Sequence, residues 1–322
     1  MRSSPNGAAT REPTIPVQTG NISRSALLKQ RQKPSVVGLA CFAVVMAAVF
    51  GPSLLTLINY AAASNLYSYI LLIPFVSAYL LYIRRDQLPK KCSVDLPLAI
   101  VSLAIGLGSL TFTYWLDFAG RAPAIGDRLT LLTTSFLCCL AAGGFFFFGR
   151  TWMRSAAFPL AYLIFMIPMP NAMTDALEQA SSTASAEMAN LLFTLSGMPF
   201  LRAGQIFQLP NITLEVAQEC SGIRSSLVLF ITSILAANLF LNTTWRRLAL
   251  VAIVIPLGIL RNGFRILVIG LLCVHVGPQM IHSVIHRRGG PLFFVLSLVP
   301  LLLFLWLLRK GEAQTGHPKS GT

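Results

Sequence analysis

The chain has 322 residues, of which 55% are hydrophobic and only 11% charged, and its mean hydropathy is +0.69. Soluble domains carry about 25% charged residues, so the composition excludes a soluble globular protein and points to an all-α integral membrane protein. The formal charge of +14 would suit a nucleic-acid binder, but the basic residues are spread along the chain as topology signals instead of gathering into one patch, which argues against a nucleic-acid partner.

Residues 1–36 hold Arg2, Arg11, Arg24, Lys29, Arg31 and Lys33 against Glu12 alone. With several prolines and many Ser and Thr, this stretch reads as a disordered cytoplasmic tail. A polytopic membrane domain follows over 37–310, and 311–322 reads as a second cytoplasmic tail. Apolar segments long enough for spans of about 17–25 residues fall near 37–60, 66–83, 96–116, 128–149, 155–170, 222–242, 247–268 and 290–308, which predicts about eight transmembrane helices. The first is too long for the apolar region of a cleavable signal peptide.

If the N-terminal tail is cytoplasmic, the loops after spans two, four, six and eight should be basic as well. They carry Arg84, Arg85, Lys90 and Lys91, then Arg150 and Arg154, then Arg246 and Arg247, then Arg309, Lys310 and Lys319. Together with the tail they hold 17 of the 25 basic residues but only Glu12, Asp86, Asp95 and Glu312 of the 11 acidic ones. The bias predicts both termini in the cytoplasm.

The longest outer-face segment is 171–219, entered through Ile167-Pro168-Met169-Pro170. From Asp175 to Leu195 the spacing predicts an amphipathic helix at the outer interface or lining a cleft. Leu177, Ala180, Ala184, Met188, Leu191 and Leu195 would form its apolar face, and Asp175, Glu178, Ser182 and Glu187 its polar one. Gly197-Met198-Pro199 ends the helix, and Ile206 to Val216 alternates around Pro210-Asn211 as a small hairpin would. A hairpin has unpaired edges and cannot lie in lipid, so it is expected to cap the bundle from the water side.

The six cysteines form no CxxC pair and no metal-ligand spacing. Cys41, Cys138 and Cys139 lie within apolar spans and read as small buried hydrophobes. Cys220 differs, because Glu219, Ser221, Gly222 and Arg224 surround it at what looks like a helix start. A helix N-terminus and a guanidinium four residues on, on the same helical face, would both favour thiolate, whereas Glu219 opposes it.

Two further polar clusters follow in chain order. From Arg247 to Arg265 the rise is about 27 Å, which sets Arg265 close to the outer interface, level with Cys220. Asn262 lies one turn below on the same face, and the least costly orientation for both is into the bundle. An Arg so placed can hold a carbonyl or stabilise an oxyanion. Next come His282, His286, Arg287 and Arg288, then Gly289 and Gly290 ahead of the last span. Either histidine could activate a thiol if it paired with Cys220. His275 is a weaker candidate, and His317 is on the cytoplasmic side.

At these residues the chain resembles the exosortase/archaeosortase family. That family shows Cys-Ser/Thr-Gly at the start of a span, Asn-x-x-Arg in the next, and His-x-x-x-Gly before the last. Here they read Cys220-Ser221-Gly222, Asn262-Gly263-Phe264-Arg265, and His286-Arg287-Arg288-Gly289-Gly290 with Phe294 beyond. Phe158 to Pro170 is similar to the family's central span. Where many members have an acidic residue after the His, this chain has Arg287.

The resemblance implies a cysteine peptidase or transpeptidase of the bacterial inner membrane. Cys220 would be the nucleophile, Arg265 the oxyanion or carbonyl partner, and His286 the acid/base, with His282 a rival. Arg224, Asn262, Gly222 and Gly290 would support them. Its partners would be the lipid bilayer and secreted proteins bearing a C-terminal sorting signal: a short motif of the Pro-Glu-Pro type, a transmembrane helix and a basic cluster. No metal or organic cofactor is called for. The contrasting expectation is a non-catalytic transporter or scaffold in exopolysaccharide export, because intramembrane Arg, Asn and His serve transport as readily.

Overall fold

The structure is a computed structural model that describes residues 36–64, 66–89, 93–210, 212–216, 222–277, 279–280 and 290–315. Helices form along the apolar runs. α1 (Val36–Ala63) leads through a 3-10 segment (Ser68–Leu72) into α2 (Ile73–Ile83). α3 (Leu96–Phe118) and α4 (Ile125–Phe147) pack antiparallel, with Gly106 so close to α4 that an added Cβ would lie 2.7 Å from Cys139 Sγ. α5 (Gly149–Ser155) and α6 (Ala157–Tyr162) are short, and a 3-10 turn (Leu163–Met166) precedes α7 (Asn171–Leu195). After a small sheet come α8 (Ile223–Phe240), α9 (Thr244–Ala252), α10 (Val254–His275) and α11 (Gly290–Thr315).

Among the described residues, six helical stretches are long and apolar enough to cross a membrane: Val37–Ala63, Leu96–Phe118, Ile125–Phe147, Ile223–Phe240, Thr244–His275 and Leu292–Glu312. Ala157–Met166 and Asn171–Leu195 make a seventh if that pair, bent by 87°, counts as one. All eight predicted segments contain helix, but two fall short of a straight crossing. Ser68–Ile83 spans about 24 Å and Ala157–Met166 about 15 Å at the α-helical rise. Pro168 and Pro170 cause the bend: neither can donate to the helix, and each pushes the residue before it to extended backbone, as the ψ of 119° at Ile167 shows. Residues such as Val44, Phe75 and Ile255 are more than half exposed. An apolar surface this extensive belongs in lipid, and the chain is a multi-pass membrane protein. Cys41 is exposed on that surface, not buried as expected, because it lies on the outward side of α1.

The predicted hairpin is present and gains a strand. β1 (Leu201–Ala203), β2 (Ile206–Leu209) and β3 (Ile212–Glu215) form an antiparallel sheet in that order, with Arg202 opposite Phe207 and Phe207 opposite Leu214. Alternation turns Phe207, Leu209, Leu214 and Val216 inward onto Ala189 and Phe193 of α7 and Ile266 and Ile269 of α10. Arg202 donates twice to the Glu187 carboxylate, at 2.9 and 2.7 Å, clasping β1 to α7.

α7 covers the segment predicted as an amphipathic helix. Its buried residues are Ser182, Ser185, Ala186, Ala189 and Phe193, whereas Leu177, Leu191 and Leu195 are exposed. Small residues and Phe193 face the protein, while Leu177, Leu191 and Leu195 face outward, and Asp175 and Glu187 are exposed as well. Close packing is the reason. A Cβ on Gly263 of α10 would lie 2.5 Å from Met188 Cγ and 3.2 Å from the Ala189 amide nitrogen, and one on Gly270 2.7 Å from Phe193. Small residues let membrane helices approach, and packing, not hydrophobic exclusion, holds them there. Gly263→Val is therefore expected to cost about 1–3 kcal/mol by overpacking. It should lower the thermal midpoint of the purified protein, and an unchanged midpoint would rule out this close contact.

Candidate active site

The site is built on one turn of α10. The helix buries Gly258, Arg261, Asn262, Ile266, Ile269 and Cys273 along a stripe that recurs every three or four residues. Within an apolar bundle this puts a guanidinium, 7% exposed, beside a carboxamide, 2% exposed. Both pack against the start of α8. Gly222 caps that helix with φ +71°, and a Cβ there would lie 2.9 Å from Asn262 Oδ1 and 3.1 Å from Arg261 Nη2. Only glycine combines a left-handed turn with so close an approach. Arg261 Nη2 donates to the Gly222 carbonyl at 3.0 Å and to Ser226 Oγ at 3.1 Å. The Gly222 carbonyl also accepts from the Ser226 amide and the Ser225 hydroxyl.

Arg265, one turn further along α10, is partly buried. It lines a cavity of about 40 Å³ with Leu214, Glu215, Val216, Asn262, Ile266 and Ile269. The end of β3 and the start of α8 thus rest on the same turn. The chain leaves Val216 beside Arg265 and returns at Gly222 against Asn262, and the five residues between lie outside the described ones.

The third cluster reaches this turn through its far flank. α11 begins at Gly290, and the Phe293 ring meets Phe264 edge-on, 6.4 Å between centroids. Cys220, His282 and His286 themselves lie outside the described residues. Of the predicted residues, the structure brings together Gly222, Asn262 and Arg265, and it sets the helix headed by Gly290 beside them.

Arg224 lies in the first turn of α8, which starts at Ile223 behind the left-handed Gly222. The side chain is exposed, and Nη2 reaches Ser68 Oγ at 3.4 Å, toward the 3-10 segment before α2. Arg261, in contrast, was not anticipated. Its signal was legible: three polar residues within five positions of an apolar span, two of them arginines at i and i+4. Among the described residues no carboxylate pairs with Arg261, and its Nη1 is buried without a hydrogen-bond partner. Two guanidinium groups one turn apart repel each other, and an anion placed between them would be strongly favoured.

A protein-family model described as transmembrane exosortase (Exosortase_EpsH) matches residues 61–303. No curated protein and no solved structure matches the chain.

Proposed function

This chain belongs to the transmembrane exosortase family, whose members are membrane cysteine peptidases and transpeptidases, and we propose that it cleaves C-terminal sorting signals of the Pro-Glu-Pro type from secreted proteins at the outer face of the bacterial inner membrane. The membrane domain is 37–310, with eight crossings and both termini cytoplasmic. The two short helical segments complete their crossings with flanking residues.

Cys220 is the nucleophile. Its thiolate attacks the scissile carbonyl and forms a tetrahedral oxyanion, which Arg265 stabilises by hydrogen bonding. The C–N bond then breaks. His286 gives a proton to the departing amine, leaving the N-terminal part of the substrate as a thioester on Cys220. His282 is the alternative proton donor. An incoming amine or water, losing its proton to the same base, attacks the thioester and releases Cys220. Asn262 and Gly222 hold the turn on which this occurs, Gly290 opens the helix that carries the histidine segment into place, and Arg224 ties the start of α8 to Ser68.

One observation supports this assignment above the others. The described flanks of all three motifs converge on residues 261–265 of α10, so chain connectivity alone keeps Cys220, two residues from Gly222, within about 8 Å of it along the Cα trace. The test is the intact mass of the C-terminal region of a secreted protein bearing such a signal, in cells with and without this chain. Loss of the transmembrane helix and basic tail only when the chain is present is expected. A tail that stays attached in both would favour the transporter or scaffold alternative.

A further inference from the structure

Arg261 lies outside the Asn-x-x-Arg pattern, yet it is more buried than Arg265. A guanidinium at membrane depth is costly unless something uses it. Its described hydrogen bonds go to α8: Nη2 bridges the Gly222 carbonyl and the Ser226 hydroxyl. The Gly222 carbonyl is the first acceptor of α8, and Gly222 is where the chain emerges from the segment containing Cys220. A second contact reinforces the bridge. Gly258, one turn below Arg261, approaches so closely that a Cβ there would lie 2.8 Å from Ser226 Oγ. Arg261 thus spans the junction at which the C-terminal end of the nucleophile segment is fastened to the helix carrying Arg265.

We infer that Arg261 is a positioning residue for the thiol: it locks the Gly222 turn onto α10, so that Cys220 and Arg265 are held in register while the acyl group is transferred. The inference rests on the thiol-enzyme assignment above. It differs from a packing role in where the loss appears. A group that only orders the nucleophile slows the chemical step and leaves substrate binding unchanged. A misplacement of about 1 Å can cost on the order of a hundredfold.

The experiment uses the full chain in vesicles and a synthetic peptide containing the sorting motif and its transmembrane helix. Arg261→Met is expected to lower kcat about a hundredfold with KM within about twofold of wild type. Arg261→Lys keeps a donor that can reach one of the two oxygens and should restore activity to within about tenfold of wild type, by the same positioning argument. Arg261→Met combined with Gly222→Ala should be no worse than the poorer single variant, because both act through one turn. Wild-type kcat in Arg261→Met overturns the inference, and so does a loss confined to KM, which would place Arg261 on the substrate. Additive losses in the double variant overturn it as well. Cys220→Ala, run alongside, separates the two levels: if it still cleaves, the underlying thiol assignment falls, and if it is inactive while Arg261→Met is not, only the role of Arg261 falls.

Discussion

Cys220→Ser and Cys220→Ala are each expected to abolish removal of the sorting signal, a loss on the order of ten-thousandfold or more, with the protein still present in the membrane at wild-type levels. Serine is nearly isosteric with cysteine, so a packing or transport role would tolerate it. A thiol enzyme would not, because the hydroxyl ionises far less readily and a free thiol titrates near 8.5 before any neighbour acts on it. Arg261 and Arg265 sharpen the contrast. Their charges on one turn of α10 favour an anion beside them, and a serine would be neutral there. Cys41→Ser and Cys138→Ser serve as controls: one thiol is exposed on the outside of α1, the other lies within α4, and neither belongs to the three motif segments. The measurement is the intact mass of the substrate after expression with each variant. Processing by Cys220→Ser at a rate near wild type would falsify both the nucleophile and the thioester intermediate.

Gly222→Ala should come next in severity, with processing reduced about a hundredfold because the nucleophile segment is displaced. Two costs add at this position. A left-handed backbone penalises any Cβ by about 1–2 kcal/mol, and the new methyl would lie 2.9 Å from Asn262 Oδ1 and 3.1 Å from Arg261 Nη2. Neither neighbour can withdraw easily, since both are buried in the helix interface. Gly204→Ala separates the two effects. Gly204 has φ +64° in the turn between β1 and β2, and a Cβ there meets nothing within 4 Å. It bears the same conformational penalty without the collision, so Gly204→Ala should cleave at close to the wild-type rate. If Gly222→Ala did as well, the contact between α8 and α10 would have no part in holding the thiol.

Much of the architecture was readable from residue order. Apolar runs located the long membrane helices, amphipathic spacing located α7, and alternation around Pro210-Asn211 pointed to the hairpin. The faces of α7 were not readable. Periodicity identified an amphipathic helix but not which residues would pack inward. That side goes to residues small enough for close approach, Ser182, Ala186 and Ala189, together with Phe193.

The candidate site divides along the same line. Sequence by itself determined the membrane class and the helical segments, and singled out three polar clusters, because burial in lipid constrains each segment separately through its length and charge. Tertiary structure alone decided that the flanks of those clusters converge on a single turn of α10. It also decided that Gly222 must be a glycine, that Arg261 bridges two helices, and that Arg224 reaches Ser68. Those facts depend on contacts between residues far apart in the sequence, 39 positions for Arg261 with Gly222 and 156 for Arg224 with Ser68, and no local periodicity encodes them.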